Sequence, residues 1–568
     1  MSLRAHPAGT VPAETARVAR AAFPKGHPYL HLRDAWGALF EDAQFAALFA
    51  PVGQPALAPW RLALVTLLQF AEGLSDRQAA DAVRSRLDWK YLLGLPLSDP
   101  GFDPSVLCEF RGRLLAAEAE ALLFEHLLAH CRAQGLLRAR GRQRTDSTHV
   151  LAAVHTRNRL EMVGETLRRP LELLAHLAPE WLLAHAPSDW GVRYGQPFEQ
   201  YRLPTGLPQR DALARQIGAD GHLLLTALFQ EAQREGPWAA LWRLPAVQLL
   251  RQVWVQQYTL DLPEGAEPEA GEAAASWRWR TPEELPPAPQ LIGTPTDPEA
   301  RFSQKGELTW EGYKVHLTES CDPAAPRLIT DVQTTPAPVP DLEVLPQIQA
   351  DLARREVLPE TQYVDAGYTE AAHYLRSAQE YEIRLVGPTQ PEPSWQARAG
   401  TGFASRDFQV DWEAQQAVCP AGCRSRTWTE TRKHDRAVVQ VSFARRDCAG
   451  CEHRSACTRA QAAGRRLTLP LQAEYQALRA ARAAPATASF QEEYQQRAGI
   501  EGTLAQGVRD CGLRRCRYLG LRKTRLQHLL TAAGLNFLRV GHWLLGRPLA
   551  RTRKSALRRL LAAPAGAC

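Results

Sequence analysis

The sequence predicts a mixed α/β protein, and three observations carry that reading. Residues from about 25 to 140 show helical periodicity, strand-like alternation begins at Arg142, and strand and helix patterns then interleave from Trp310 onward. The resulting order is strand, a helical stretch, strand, strand, helix, strand, helix, strand and late helices, which suits a sheet with helices packed on it. A chain of 568 residues that is 45% hydrophobic has material for two to four cored domains and excludes a disordered or low-complexity protein.

In the N-terminal part, Trp60 to Ala71 is mostly apolar and stops at Gly73, and Ser75 caps the amphipathic run SDRQAADAVRSRL. Arg77, Arg84 and Arg86 lie on its polar side, and a further helix starts at Ser105. Helix, tight turn and helix with arginines is compatible with a DNA-reading helix pair and equally with an ordinary bundle. RQRTDSTHVLAAV, with Asp146 in its middle, reads as a strand. Residues 158 to 260 return to helix, and eight prolines among residues 262–300 mark a loop or linker. Strands follow at 310–318, 327–335, 361–365 and 381–386, with helices at 342–355 and 369–379. Residues 395–470 read as an irregular, cysteine-bearing insertion, and 491–510 and 526–545 as helices. The predicted layout is 1–140 helical, 141–157 first core strand, 158–305 helical insertion and linker, 306–394 core, 395–475 cysteine insertion, and 476–568 a basic helical region.

The formal net charge is +7, but residues 497–568 carry fifteen Arg and Lys against only Glu501 and Asp510, leaving −6 for the rest of the chain. Such a tail predicts a polyanion-facing surface, with affinity that falls as salt rises. The start of the chain lacks a basic segment followed by an apolar one, and the most apolar long run, His528 to Gly546, is broken by Asn536 and Arg539. A soluble intracellular protein with no membrane association is therefore expected. Of eleven cysteines, five fall between Cys419 and Cys457, and clustering of this kind in a reducing compartment favours metal binding over disulfides.

Three acidic residues are candidates for chemistry. Asp146 lies mid-strand among hydroxyl neighbours, and Asp365 ends a strand just before Ala366-Gly367, a suitable place for a metal ligand in an open α/β site. In EEYQQRAGIEGTLAQGVRD, Tyr494, Arg497 and Glu501 fall within roughly 60° on one face of a helix. That stripe is aromatic, basic and acidic where a structural helix would be apolar. Carboxylates can hold two hard divalent cations together. Gly499, Gly502 and Gly507 weaken this helix, through either close approach of a backbone or DNA strand or simple tolerance.

TDSTHV around Asp146, YVDAGY around Asp365 and Tyr494-x2-Arg497-x3-Glu501 resemble the three catalytic blocks of the DDE-class bacterial insertion-sequence transposases. SDRQAADAV and FDPSVLCEFRGRL resemble that family's N-terminal helical domain, DPEARFSQKGELTWEGYKVHLTES its second and third core strands, and GLRRCRYLGLRKTRLQHLLTAAGLNFLR its C-terminal stretch. The resemblance implies an RNase H-like mixed-sheet core and dependence on Mg²⁺ or Mn²⁺, with Asp146, Asp365 and Glu501 as catalytic metal ligands. It also implies binding to double-stranded DNA (the terminal inverted repeats of a mobile element and target DNA), a homodimer in the synaptic complex, and a place in the bacterial cytoplasm with the nucleoid. Tyr494 and Arg497 become DNA contacts, with Arg509, Arg514, Arg515, Lys523 and Arg525 as further candidates. The fullest family signature has a basic residue seven after the Glu; here that position is Val508, and Arg509 follows it. The alternative function is an inactive, transposase-derived DNA-binding protein or repressor.

The cysteines form a second constellation. Cys419-x3-Cys423 precedes Cys448-x2-Cys451-x5-Cys457, with His453 between the last two. Paired thiols at this separation resemble a structural Zn²⁺ site, which needs four ligands and so leaves one cysteine spare. Free buried thiols and an iron–sulfur cluster are the other readings.

Overall fold

The strand that carries Asp146 is covered on both faces: Gln143, Arg144, Thr145, Thr148 and Val150 are all buried. The computed structural model describes residues 1–3, 9–154, 158–199, 202–261, 276–400 and 403–547. The strands in chain order are β1 (Arg142–Leu151), β2 (Tyr258–Asp261), β3 (Ser276–Trp279), β4 (Arg301–Lys305), β5 (Leu308–Ser320), β6 (Ile329–Pro336), β7 (Thr361–Tyr363) and β8 (Arg384–Val386). β1 sits in the middle of a six-stranded mixed sheet. It runs antiparallel to β5, with Asp146 opposite Leu317, and parallel to β7, with Arg144 opposite Tyr363. β8 adds parallel to β7. On the other side β5 carries two antiparallel neighbours, β4 along its first residues and β6 along the remainder. This is the mixed α/β architecture that the alternating patterns predict.

The helix Leu521–Leu544 packs on β6 and on the N-terminal helices Pro28–Trp36 and Pro59–Ala71, so one apolar core runs from Tyr29 to Val540 through the sheet. Polar residues inside it are matched. The Asn536 carboxamide accepts from the Ile329 amide at 2.7 Å and donates to the Ile329 carbonyl at 2.8 Å, closing the first rung of β6. The residues that break the apolar run 528–546 thus face inward as partners of the sheet. Among the described residues no helix is long and apolar enough to cross a membrane.

Helices Arg159–Leu177, Leu207–Ala232 and Pro245–Gln257 enclose a separate apolar core that includes Val163, Ile217 and Trp254. The hairpin of β2 and β3 closes it, with the Tyr258 hydroxyl donating to the Ala214 carbonyl at 3.0 Å. In the proline-rich stretch 262–300, Trp277 and Trp279 pack against this core; its residues 262–275 lie outside the described residues, as do 548–568 of the basic tail.

The cysteine-bearing insertion is not irregular. It contains β9 (Gln409–Asp411), β10 (Gln416–Val418), β11 (Thr427–Lys433), β12 (Arg436–Ser442) and β13 (Arg466–Pro470), the last three forming an antiparallel sheet over Phe408, Val439, Val441, Phe443, Leu467 and Leu469. β11 reads TWTETRK and is largely solvent-facing, so its strand character left little apolar signal.

At Ser75 the sequence reading holds in detail: its side chain accepts from the Gln78 amide, and Gln78 returns the bond. The arginines nearby are partly committed within the chain, Arg86 to Glu72 and Asp88 and Arg84 to Asp81.

Asn536→Leu should cost about 2–6 kcal/mol, because it leaves two buried backbone groups without partners at about 1–3 kcal/mol each. Chemical denaturation followed by tryptophan fluorescence measures this, and an unchanged midpoint would refute the pairing.

Candidate functional site

Asp146 and Asp365 come together through strand register. The parallel pairing of β1 with β7 ends at Arg144 opposite Tyr363, and each aspartate lies two residues beyond its partner in that pair. With side chains alternating in direction, both aspartates emerge on the same face of neighbouring strands at the same level. The Asp365 carboxylate accepts from the Gly367 amide at 2.9 Å and that of Asp146 from the Ser147 amide at 2.8 Å, which fixes both at their bases.

Glu501 arrives from a different direction. Its helix, Gly499–Cys511, packs on β1 and β5. The segment 491–510 is not one continuous helix: Ala488–Tyr494 passes through a 3₁₀ turn, Gln495–Ala498, before the second helix begins. Tyr494, Arg497 and Glu501 therefore do not share a single helix face. Instead, the Tyr494 hydroxyl donates to the Val364 carbonyl at 3.1 Å, and its ring stacks on Phe490 beside Tyr363 and Val386.

Arg497 stands where the three acids meet. Its Nη2 lies 2.6 Å from Asp146 Oδ2 and 4.0 Å from Asp365 Oδ2, and its Nη1 lies 3.3 Å from Glu501 Oε1. The carboxylates of residues far apart in sequence thus converge on one guanidinium. Accessibility is graded, from 12% for the Asp146 side chain through 27% for Asp365 to 65% for Glu501. Burial pushes the Asp146 carboxyl up to about 6, and the neighbouring Asp365 charge pushes the same way; Arg497, the Ser147 amide and Lys305 only partly offset them. Among the described residues no three acidic, His or Cys side chains are closed around a single point as a ligand cluster. Here the guanidinium stands between the three.

A buried ion-pair network holds the Glu501 helix in place. The Glu319 side chain is fully buried on β5 and accepts from Arg144 Nε at 2.7 Å on one oxygen and from Arg539 at 3.0 Å and Thr503 on the other. Arg144 also donates to the Gln496 carbonyl at 2.7 Å, and Arg539 to Thr503 at 2.7 Å and Gln506 at 3.0 Å. Gly499 has its explanation here: a Cβ would sit 1.7 Å from Arg144 Nη1. It is a protein side chain, and not a DNA strand, that needs the space. Nothing lies within 4 Å of a Cβ at Gly502, which fits simple tolerance.

Sequence reasoning missed a neighbouring cluster. Asp341 accepts from the Ser147 hydroxyl at 3.0 Å and pairs with Lys314 Nζ at 2.6 Å, and a Cβ on Gly367 would lie 3.3 Å from it. It is thus a fourth carboxylate beside Asp146 and Asp365. Its acidic position in the first turn of helix Asp341–Arg354 was the available signal, but many helix starts carry one. The basic candidates are distributed. Arg514 donates to Thr148 Oγ1 at 2.9 Å, two residues from Asp146, and Arg515 forms a bridge with Leu151. Lys523 and Arg525 are exposed, and Arg509 pairs with its neighbour Asp510 at 2.7 Å. Cys419, Cys423, Cys448, Cys451 and Cys457 line a common cavity away from the three acids.

Two regions of the chain match known family models. Residues 418–540 match a Transposase DDE domain, and residues 17–113 match a Transposase domain (DUF772). The first spans the cysteine-bearing subdomain, Arg497, Glu501 and most of the C-terminal helix; the second lies within the N-terminal helices. No curated protein and no solved structure matches.

Replacing Glu319 by Leu should destabilise the protein by about 3–5 kcal/mol, since it strands Arg144 and Arg539 in the interior. The expected signature is earlier protease cleavage near residues 495–511 than in the wild type. Wild-type stability and an unaltered cleavage pattern would show that the network does not hold the helix.

Proposed function

We propose, from the premise that the chain belongs to the DDE-class insertion-sequence transposases, that it cuts and joins DNA with divalent cations held by Asp146, Asp365 and Glu501. The observation that carries this reading is the meeting of those three side chains on the Arg497 guanidinium. The sheet supports it. Three antiparallel strands (β6, β5, β1) followed by two parallel ones (β7, β8), with acids on β1 and just after β7, have the order of an RNase H-like core.

The donors fit Mg²⁺ or Mn²⁺, which are hard cations that take carboxylate oxygens. A cationic group already occupies the space between the acids, and three carboxylates share it. When bound, such ions activate water or a 3′-hydroxyl and stabilise the leaving oxygen. The chain's own residues do the positioning. β1 and β7 hold the two aspartates level, and the Glu319 network holds the helix of Glu501 against them. Tyr494, through Val364, fixes the backbone leading into Asp365. With divalent ions on its carboxylate partners, Arg497 would be available to hold a DNA phosphate, which a guanidinium can do with two parallel bonds. Arg514, Arg515, Lys523 and Arg525 extend positive charge from the end of β1 along the C-terminal segment and suit the duplex flanking the cut. The DNA this reading assigns is the element's terminal inverted repeats and then a target, with two protomers holding paired ends.

Asp146→Asn, Asp365→Asn and Glu501→Gln should each lower Mg²⁺-dependent strand cleavage of labelled element ends by about 10²-fold or more, because each removes charge that acts on the transition state. End binding should persist in gel-shift assays. If the wild type binds ends but never cleaves them with Mg²⁺ or Mn²⁺, the chain is a DNA-binding remnant and the catalytic reading falls.

A further inference from the structure

The cysteine-bearing subdomain has a small apolar core. Its fully buried hydrophobic residues are Phe408, Ala417, Val439, Val441, Phe443, Leu467, Leu469 and Tyr475, few for a segment of this length. Small domains with so little to bury need a disulfide or a metal to hold them. Among the described residues no disulfide is formed, and the ten cysteines are free. The free thiols in the main core, such as Cys131 and Cys511, are deeply buried among apolar side chains and behave as small hydrophobes. The five in the subdomain differ: all are half-buried, and all face one enclosed space.

The backbone around that space is already shaped for ligands. After β10, the Cys419 amide donates to the Cys423 carbonyl at 2.9 Å and the Gly422 amide to the Cys419 carbonyl at 2.8 Å, a tight turn that presents sulfur inward. Cys448 closes the short helix Arg445–Ala449, and Cys451 follows in the next turn. Cys457 ends the helix Arg454–Cys457. Cys419, Cys448 and Cys457 pack against the subdomain's apolar core. The Arg465 amide donates to Cys448 Sγ at 3.4 Å, the kind of bond that supports a ligating thiolate. The guanidinium-bearing residues Arg454 and Arg465 line the same space and offset the charge of several thiolates.

We propose that four of the five cysteines, Cys419, Cys448 and Cys457 among them, hold one structural Zn²⁺, and that the fifth thiol is spare. The cavity volume, about 30 Å³, has room for a single ion. Among the described residues the sulfurs are not closed around a point, so the ion draws them together as their protons leave. The site is structural because all four positions belong to the protein, with none open to a substrate. Its consequence reaches the three acids. Arg436 of β12 pairs with Glu370 at 2.8 Å, five residues after Asp365, and the helix Gln472–Ala483 that follows the subdomain packs on Ala371–Tyr381. A clamped subdomain therefore fixes the path of the chain from Asp365 to Glu501. This proposal is independent of the one for DNA cleavage.

The test is made on the full chain, purified with a reductant and without chelator. Elemental analysis should find about one Zn per chain, and X-ray absorption should find four sulfur neighbours at about 2.3 Å. With zinc bound, four thiols of the cluster should resist alkylation and react only after a chelator is added, whereas the fifth reacts without it. Cys457→Ser should lose the metal. Absence of zinc even after reduction with added Zn²⁺, bound iron, or a nitrogen ligand from His453 would overturn the assignment. So would retention of zinc in Cys457→Ser. If Cys457→Ser fails to fold, the absorption and alkylation results on the wild type still decide.

Discussion

The arrangement of the three acids depends on one buried carboxylate. Glu319 has no solvent, and an isolated charge in such a place is prohibitive; Arg144 and Arg539 make it tolerable. Each arginine then spends its remaining donors on the Glu501 side of the molecule, on Gln496, Thr503 and Gln506. β1, β5, the C-terminal helix and the helix of Glu501 are thereby locked at one junction. A hydrophobic contact could bring these elements together, but it has no direction. Charge-assisted bonds fix how far the Glu501 helix slides and rotates relative to β1, and that setting puts Glu501 opposite Asp146.

The junction and the acid triad divide the electrostatics differently. At Glu319 positive charge exceeds negative. At the triad negative exceeds positive, because three carboxylates, with Asp341 close by, share Arg497. Lys314 neutralises Asp341 directly, whereas Asp146 remains under-compensated. On the function proposed above this deficit is the useful feature: a site with its charge already balanced by the protein would have no reason to take up ions. Arg497, part-buried and with an Nε that has no partner, makes three pairs of which two are 3.3 Å or longer, so it can exchange partners more readily than Arg144 can.

Much of this was legible in the sequence, for physical reasons that differ from residue to residue. β1, β5 and β6 announce themselves by β-branched and aromatic residues in short runs. Asp146, mid-strand among hydroxyl side chains, and Asp365, at a strand end just before Ala366-Gly367, each stood out by local context. Their proximity was not readable, since it comes from the parallel register of β1 with β7, a contact across more than two hundred residues. Asn536 and Arg539 looked like interruptions of an apolar run; only the fold reveals that the partners of the first are a strand's backbone and of the second a buried acid. Gly499 suggested crowding, but the crowding group, Arg144, lies far away in sequence. The break at Gln495–Ala498 was hidden because a 3₁₀ turn and an α-helix use the same residue types.

The sheet also explains how so long a chain can serve so compact a site. Leu151 at the end of β1 and Arg301 at the start of β4 both pair with Gly312, so the insertion between them leaves and re-enters the sheet at one place. A Cβ at Gly312 would lie 2.2 Å from the Val150 carbonyl, and its φ of +149° is one that side-chain-bearing residues rarely adopt; the close crossing there requires glycine. Because the ends of the insertion meet, its hundred-odd residues add their own core without displacing β1 from β5. The cysteine-bearing subdomain follows the same logic after β8, with a core of its own and a return helix packed close to where the chain departed. Neither outgrowth supplies a carboxylate to the triad. Both lie on the connections between the residues that do, so the sheet register, and not the length of intervening chain, determines where Asp146, Asp365 and Glu501 meet.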